Sequence, residues 1–432
     1  MSRRTLDVFM MLPLDGVDLM WGGRTRCGMG VRLLVALRDL DPPAGGAEMS
    51  LATLLKGVAT PGPYAEDAPD YIPLEPTPEQ REEEGWSVHV FQSSDRGEAT
   101  DLTQNSPLKR TVAALPVESL WSGLAWRLRN KVTGRLNVGF QRRHLRKRNQ
   151  AFERWLAPLI AEAKRSGDSL LGITQLHWSA GASEAFRKAG IPHMAFVRDE
   201  LQFDHPELYR ASLEKAVAVC GAGNGLLRQI ESVFKLRRAA HVPLPVDYAG
   251  RFGTPLPERI SREDADVPRI AIVGVTPEKG LALYRRLLPH LARVWPEACI
   301  DIYGGGAHVE ALSQFPNATC HGHTPVEEVF THCDIHLLTV ESTGSWGRVI
   351  NEAGLFGIPS VSVEIGAQPE AIGRGGVIVS NKDDLAEWTA ALRTCYENRG
   401  VLGEAAREHA KVIDHRRSIA MFRSVIRDVL KL

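Results

Sequence analysis

From position 269 onward the sequence alternates short apolar strand-like runs with amphipathic helical stretches, and few folds accept that rhythm. Arg269-Ile-Ala-Ile-Val-Gly reads as a strand, residues 278–295 as a helix, and Cys299-Ile-Asp-Ile-Tyr-Gly-Gly-Gly306 as a strand ending in glycines. Residues 326–332 make a short helix. Asp334-Ile-His-Leu-Leu-Thr-Val340 is again a strand, followed by a helix carrying Glu352 and the strand Ser360-Val-Ser-Val363. Strands alternating with helices imply a parallel sheet covered on both faces. Ligands of such sheets bind beyond the carboxyl ends of the strands. Gly274, Gly304 to Gly306 and residues 341–347 all follow strands, so they should converge on one crevice.

The N-terminal half repeats the style less regularly. Residues 6–12 read as a strand, followed by the glycine-rich loop Trp21-Gly-Gly-Arg-Thr-Arg-Cys-Gly-Met-Gly30 and an apolar helix over 31–40. Ser169-Leu-Leu-Gly-Ile-Thr-Gln, His193-Met-Ala-Phe-Val197 and Ala216-Val-Ala-Val-Cys220 read as further strands separated by helices. A chain of 432 residues exceeds what one core usually covers, so two domains are the default. Residues 251–267, with Pro255, Pro257 and several charges, make the best linker between them.

Two segments break the pattern. Residues 61–84 carry repeated prolines and end in Glu82-Glu-Glu84, an extended loop. Residues 120–150 set Trp121, Leu124, Trp126, Leu128 and Phe140 among nine basic residues, including Arg142, Arg143, Arg146, Lys147 and Arg148. Such a segment is either a solvated helix face with its apolar side on the domain or a contact with an anionic membrane surface.

Charge and cysteine content narrow the partners. Fifty-two basic residues balance fifty-two acidic ones, which argues against a generic polyanion binder, and no nucleic-acid partner is expected. Cys27, Cys220, Cys299, Cys320, Cys333 and Cys395 form no C-x-x-C pair. They read as reduced thiols of a cytoplasmic protein. Asp7 interrupts the apolar N-terminal run and no small-residue cleavage site follows, so a strand is expected there and not a signal peptide. No stretch approaches the ~20 apolar residues of a membrane span.

The segment from Glu341 to Val361 carries the most chemistry. A small-residue loop enters a helix N-terminus, where unpaired N–H groups and the positive dipole end suit a phosphate. Glu352 lies in the first turns of that helix. A carboxylate beside phosphate has a purpose if it grips something else, such as ribose hydroxyls, and the combination points to a nucleoside-diphosphate site.

These residues resemble a known family. Val273-Gly-Val-Thr-Pro-Glu-Lys279-Gly280, Ile302-Tyr-Gly-Gly-Gly306 and Gly322-His-Thr-Pro-Val-Glu-Glu-Val-Phe match retaining GT-B glycosyltransferases of glycosyltransferase family 4. So do Asp334-Ile-His-Leu-Leu, Trp346-Gly-Arg-Val-Ile-Asn-Glu352-Ala and Gly357-Ile-Pro-Ser-Val361, all in the family's order. The N-terminal half is similar more weakly, through Gly22-Gly23, Gly28-Met-Gly30, Ala189-Gly-Ile-Pro192 and Pro245-Val-Asp247. The resemblance implies an α/β protein of two Rossmann-like βαβ domains facing each other across a cleft. Residues 1–250 would bind acceptor, with an irregular insertion at about 45–165, and 268–411 the donor. The helix 412–432 would cross back to the first domain.

The reaction so implied moves a sugar from a nucleoside-diphosphate sugar to a carbohydrate or lipid-linked acceptor, with retention and without a cofactor. Lys279, the glycine loop at Gly28 and Gly30, Gly305, Thr324, and Ser345, Trp346 and Gly347 at the helix start would hold the donor. Glu352 would take the ribose hydroxyls. Asp-x-Asp pairs that could hold a metal occur at Asp39-Leu-Asp41, at the end of the helix expected over 31–40, and at Asp264-Ala-Asp266, in the linker; neither suits the crevice. Cys320, His321 and His323 lack a second ligand pair at zinc spacing.

Three departures from the family matter. Gly344 stands where relatives carry a second glutamate, and Glu341 lies three residues earlier as the candidate replacement. Val275 stands where relatives show an arginine, and Arg348 is the candidate cation. Val197-Arg198-Asp199-Glu200 replaces a histidine at the end of a strand, leaving His177 as the candidate catalytic histidine. These departures keep a non-catalytic nucleotide-binding scaffold open as the rival reading, beside an epimerase or phosphorylase on the same fold.

Overall fold

The computed structural model describes residues 30–37, 40, 46–59, 86–92, 108–112, 138–175, 180–197, 209–248, 252, 266–277, 279–341 and 346–431. The first unit begins with β1 (Val31–Leu37), α1 (Gly46–Ala59), β2 (Ser87–Gln92), β3 (Lys109–Val112) and the long helix α2 (Val138–Ser166). It continues through β4 (Ser169–Gln175), α3 (Ala180–Lys188), β5 (His193–Val197), α4 (Arg210–Glu214), β6 (Ala218–Gly221), α5 (Asn224–Val233) and β7 (Ala239–His241). The second unit runs β8 (Arg269–Val273), α6 (Leu281–Val294), β9 (Cys299–Tyr303), α7 (Ala307–Glu310), β10 (Ala318–Gly322), α8 (Val326–His332) and β11 (Ile335–Leu337). Then come α9 (Arg348–Leu355), β12 (Ser360–Val363), α10 (Gln368–Ile372), β13 (Gly376–Val379), α11 (Leu385–Glu397), α12 (Arg399–Ala410) and α13 (His415–Leu430).

Two wholly parallel sheets result, ordered β3-β2-β1-β4-β5-β6-β7 and β10-β9-β8-β11-β12-β13. In each, strand order reverses beside the first strand, between β1 and β4 and between β8 and β11. Those reversals place the crevices.

One expectation is overturned. The apolar run from Val31, expected as a helix, is the strand β1, buried along its whole length. Strands covered on both faces read as continuous apolar runs, and periodicity cannot separate a short run of that kind from a buried helix. The correction moves Gly30. Gly30 precedes β1, where its N–H donates to Asp168 Oδ1 (3.1 Å) and its carbonyl accepts from Ser169 N (2.7 Å). Gly30 therefore lies at the amino ends of β1 and β4, away from the crevice. The strand expected at 6–12, Gly28, and the segment 61–84 lie outside the described residues, as does most of 251–267.

The C-terminal helix belongs to the first unit's core. Ile419, Phe422, Val425 and Ile426 of α13 are buried with Leu33, Val35, Leu55 and Val90. Phe422 packs edge-on to Phe196 at 5.1 Å. Gly57 of α1 touches Ile419 so closely that an added Cβ would lie 2.3 Å from its Cδ1. The crossing is fastened by Val246 N donating to Ile413 O and His415 N donating to Val246 O.

The second sheet encloses an imidazole ring. His336 of β11 is fully buried, shares a 3.0 Å hydrogen bond between Nδ1 and Ser360 Oγ, and meets Phe330 edge-on. Burial, and to a lesser degree the charge on Lys279, pull its pKa down to about 3. The folded state keeps this ring neutral while the unfolded chain protonates it near 6.5. Its contribution is complete above that pH and is lost as pH falls toward 3. Urea titrations of the His336→Asn variant should therefore show a shallower loss of stability between pH 6 and 4, by up to about 1.4 kcal/mol per pH unit. An unchanged slope would contradict the assignment.

Candidate functional site

The crevice of the second sheet is assembled from strand ends. Gly274 N donates to Tyr303 O (2.8 Å) and Gly304 N to Gly322 O (2.7 Å), so the turns after β8, β9 and β10 lie in a row. A Cβ on Gly305 would sit 2.6 Å from His323 Nε2, which shows how closely the last two approach.

The turn after β8 carries Lys279. Lys279 N donates to Thr276 Oγ1 (3.1 Å), and Thr339 Oγ1 donates to Lys279 O (3.4 Å) from the segment after β11. Gly280 follows with φ +73°, and a Cβ there would lie 1.6 Å from Thr339 Oγ1. Only glycine permits both that backbone and that approach. Lys279 is an exposed residue whose ammonium turns inward, 3.4 Å from where a Cβ on Gly274 would be. Enclosure of the ammonium lowers its pKa; Glu352 opposes the shift and Arg348 adds to it.

Facing this turn is the start of α9. Gly347 has φ +75° and packs against Gln368 and Leu338, each within 3.0 Å of a virtual Cβ. Glu352 is only 3% exposed and accepts from Arg348 Nε at 2.9 Å, one helical turn away. Two cations and one carboxylate thus share the crevice, leaving a net positive charge at a helix N-terminus, where an anion is favoured.

The structure redistributes several expected residues. Trp346 is buried, donates from Nε1 to Asn351 Oδ1 (2.6 Å) and stacks on His241 of the first unit, so its ring packs the contact between units. Glu341 is half-buried and held by Lys382, whose Nζ lies 3.1 Å from Oε2 and 3.3 Å from the Glu341 carbonyl. Lys382 follows β13, so the carboxylate is drawn to the side of β11 opposite Lys279. Nothing in the sequence spacing signalled that pair. Thr324 is half-buried and lines a cavity of about 490 Å³ with Arg269, Asp301, Tyr303, His321, Glu328 and His332.

His321 is hydrogen-bonded to buried Asp301 (2.7 Å), which Arg269 also engages (3.0 Å). Among the described residues no group of three or more His, Cys, Asp or Glu could hold a metal. Asp39-Leu-Asp41 follows the strand β1 and not a helix, so its place at a helix end no longer argues against it. Asp39, Asp41, His177 and Ser345 lie outside the described residues.

Known proteins share parts of this sequence and the fold. Residues 267–398 match the family model of glycosyl transferases group 1, so the resemblance holds over the crevice of the second unit. The GDP-mannose-dependent alpha-(1-6)-phosphatidylinositol monomannoside mannosyltransferase of Mycolicibacterium smegmatis is 27% identical over 139 residues. That match covers 28% of this chain and 36% of the relative. Anabaena HepE, solved in complex with UDP and glucose, superimposes with a TM-score of 0.60 at 16% identity, over 93% of this chain and 100% of that one. Sucrose-phosphate synthase from Thermosynechococcus elongatus gives 0.60 at 16%, over 93% and 99%. The fold is the two-unit GT-B arrangement of these structures.

The glycine contacts make a direct test. Gly280→Ala should destabilise the protein by more than the ~1–2 kcal/mol of a left-handed alanine, because Thr339 blocks the methyl. Gly322→Ala, at the same φ with nothing within 4 Å of the virtual Cβ, should cost the conformational amount alone. Equal losses in chemical denaturation would contradict the close approach.

Proposed function

We propose that this protein is a glycosyltransferase that moves a sugar from a nucleoside-diphosphate sugar to a carbohydrate or lipid-linked acceptor, retaining configuration. The observation that carries the proposal is the convergence of Lys279, Arg348 and Glu352 beyond the carboxyl ends of β8 and β11. The diphosphate leaving group gains negative charge as the glycosidic bond breaks. Lys279 and Arg348 are placed to stabilise that charge, the role a metal takes in other transferases. Glu352 would accept hydrogen bonds from the ribose hydroxyls while holding Arg348. The first unit, residues 1–250, would present acceptor and 268–411 donor, closing across 251–267. Closure excludes water and limits hydrolysis of the donor.

A second reading is favoured by one observation. Glu341, the candidate for the sugar-facing carboxylate, is paired with Lys382. If that pair persists with donor bound, the chain binds nucleotide without turning it over. Thermal-shift screening with UDP- and GDP-sugars followed by turnover assays separates the two readings. A ligand at 100 times its dissociation constant stabilises by about 2.7 kcal/mol.

Against the best donor, Lys279→Ala should lower kcat by about 10²–10³-fold, the scale of losing one charge-stabilising group. Glu352→Ala should raise donor KM by about 10–100-fold, as for a lost charge-assisted hydrogen bond. Transfer that survives both substitutions would refute the site.

The proposal places the protein in the cytoplasm, peripherally at the membrane's inner face. No helix among the described residues is long and apolar enough to cross a membrane. Arg146 and Lys147 are exposed on α2, within the basic 120–150 segment. Phosphatidylserine vesicles should sediment with the protein at low salt. Neutralising Arg142, Arg143, Arg146 and Arg148 should weaken that binding, at about 1 kcal/mol per charge near the surface. Unchanged sedimentation would remove the membrane from the proposal.

A further inference from the structure

The two units meet at a carboxylate that neither the donor chemistry nor the fold's own cores require. Glu370, on α10 of the second unit, reaches across to the N-terminus of α5 in the first. Its carboxylate accepts from Asn224 N (2.8 Å), Gly225 N and Asn224 Nδ2 (3.3 Å), with Arg228 Nη2 at 3.6 Å. The free N–H groups and positive dipole of one unit's helix are thus satisfied by the other unit's anion.

Two glycines let the surfaces come this close. A Cβ on Gly225 would lie 2.6 Å from Gly366 O, and one on Gly223 would lie 2.9 Å from Ala367 Cβ and 3.2 Å from the Trp346 ring. Beside them His241 Nε2 bonds to Ala222 O (3.0 Å) while its ring stacks on Trp346. The backbone of Glu370 is itself anchored, its carbonyl bonded to His409 Nε2 at 2.7 Å.

The same short helix is joined to the start of α9. Ala371 O accepts from Asn351 Nδ2 (3.0 Å), Asn351 Oδ1 accepts from Trp346 Nε1, and Gln368 packs against Gly347. Residues 346–351 thus sit between the contact of the units and the pair Arg348–Glu352. A displacement of α10 is transmitted to that pair through side chains already in contact.

We propose that Glu370 is a positioning residue: docked on the α5 N-terminus, it sets the separation of the two units and the aim of Arg348 and Glu352. The second half of this inference rests on the crevice being a nucleoside-diphosphate site; the first half does not.

Glu370→Ala, Glu370→Gln and Gly225→Ala in the full chain test it. Small-angle scattering without ligand should show a larger radius of gyration for Glu370→Ala than for the parent, with Glu370→Gln between, since its amide oxygen still accepts a bond. Gly225→Ala should expand the protein although Glu370 is intact, because its methyl cannot fit against Gly366. Calorimetric titration with UDP and GDP should show affinity for the better nucleotide weakened by about tenfold in Glu370→Ala. The loss in kcat/KM should fall mainly on donor KM.

A scattering profile unchanged in both Glu370→Ala and Gly225→Ala overturns the docking role, as does a lowered melting temperature without expansion. Expansion with unaltered nucleotide affinity overturns the coupling to α9. If the parent binds neither nucleotide, the donor-site reading fails while scattering still decides the docking.

Discussion

The pairing of β8 with β11 is the constraint on which the cleft depends. Ile335 lies opposite Ile270 and His336 opposite Ala271, although more than sixty residues separate the strands. That adjacency sets the turn carrying Lys279 beside the segment 339–341 and the start of α9. Parallel strands deliver all their carboxyl ends to one side, so each loop that follows is added to the same wall. The Thr339 hydroxyl then reaches the Lys279 carbonyl, and a glycine at 280 becomes obligatory.

Charge in that wall is arranged economically. A buried carboxylate needs a partner, and Glu352 finds Arg348 on its own helix one turn back. The pair leaves little net charge, so the inward-turned ammonium of Lys279 supplies the excess. Enclosure weakens that ammonium's hold on its proton and Glu352 restores part of it. An incoming diphosphate would favour the charged form further. The helix N-terminus of α9 points the same way, and no single one of these features would define a site alone.

Much of the second unit was legible because its signals are local. β8 and β9 follow directly from apolar runs closed by glycines, and α6, α8 and β12 from the alternation of helical and apolar stretches around them. The first unit was less so. Between Arg32 and Arg38 the stretch is apolar without a break, so no period shows, and the strand hidden in it puts Gly30 at the amino end of the sheet. Long-range pairs were invisible in principle. Nothing near Glu341 announces Lys382, forty-one positions away, or links Glu370 to the N–H groups of Asn224 and Gly225. Trp346 misled for a related reason: a motif fixes position in the chain but not which side of the backbone a ring turns to, and here it turns inward onto Asn351 and His241.

On the proposed function, the corrected first strand would move the acceptor half of the cleft to the carboxyl ends of β1 and β4. β1 stands in its sheet as β8 does in the other, flanked by β2 and β4 at the reversal of strand order. Residues that follow β1 and β4 in the chain are therefore the counterparts of the Lys279 turn and the 339–347 segment. Those stretches hold Asp39, Asp41 and the Gly45-Gly46 step in one case and His177 in the other. The glycines that follow β1 in the chain are Gly45 and Gly46, the latter opening α1, whereas Gly30 precedes the strand. His177 follows β4 by two residues in the chain. On the proposed function, acceptor chemistry would be sought at the carboxylates and the histidine that follow β1 and β4 in the chain, because parallel strands deliver their carboxyl ends to one side.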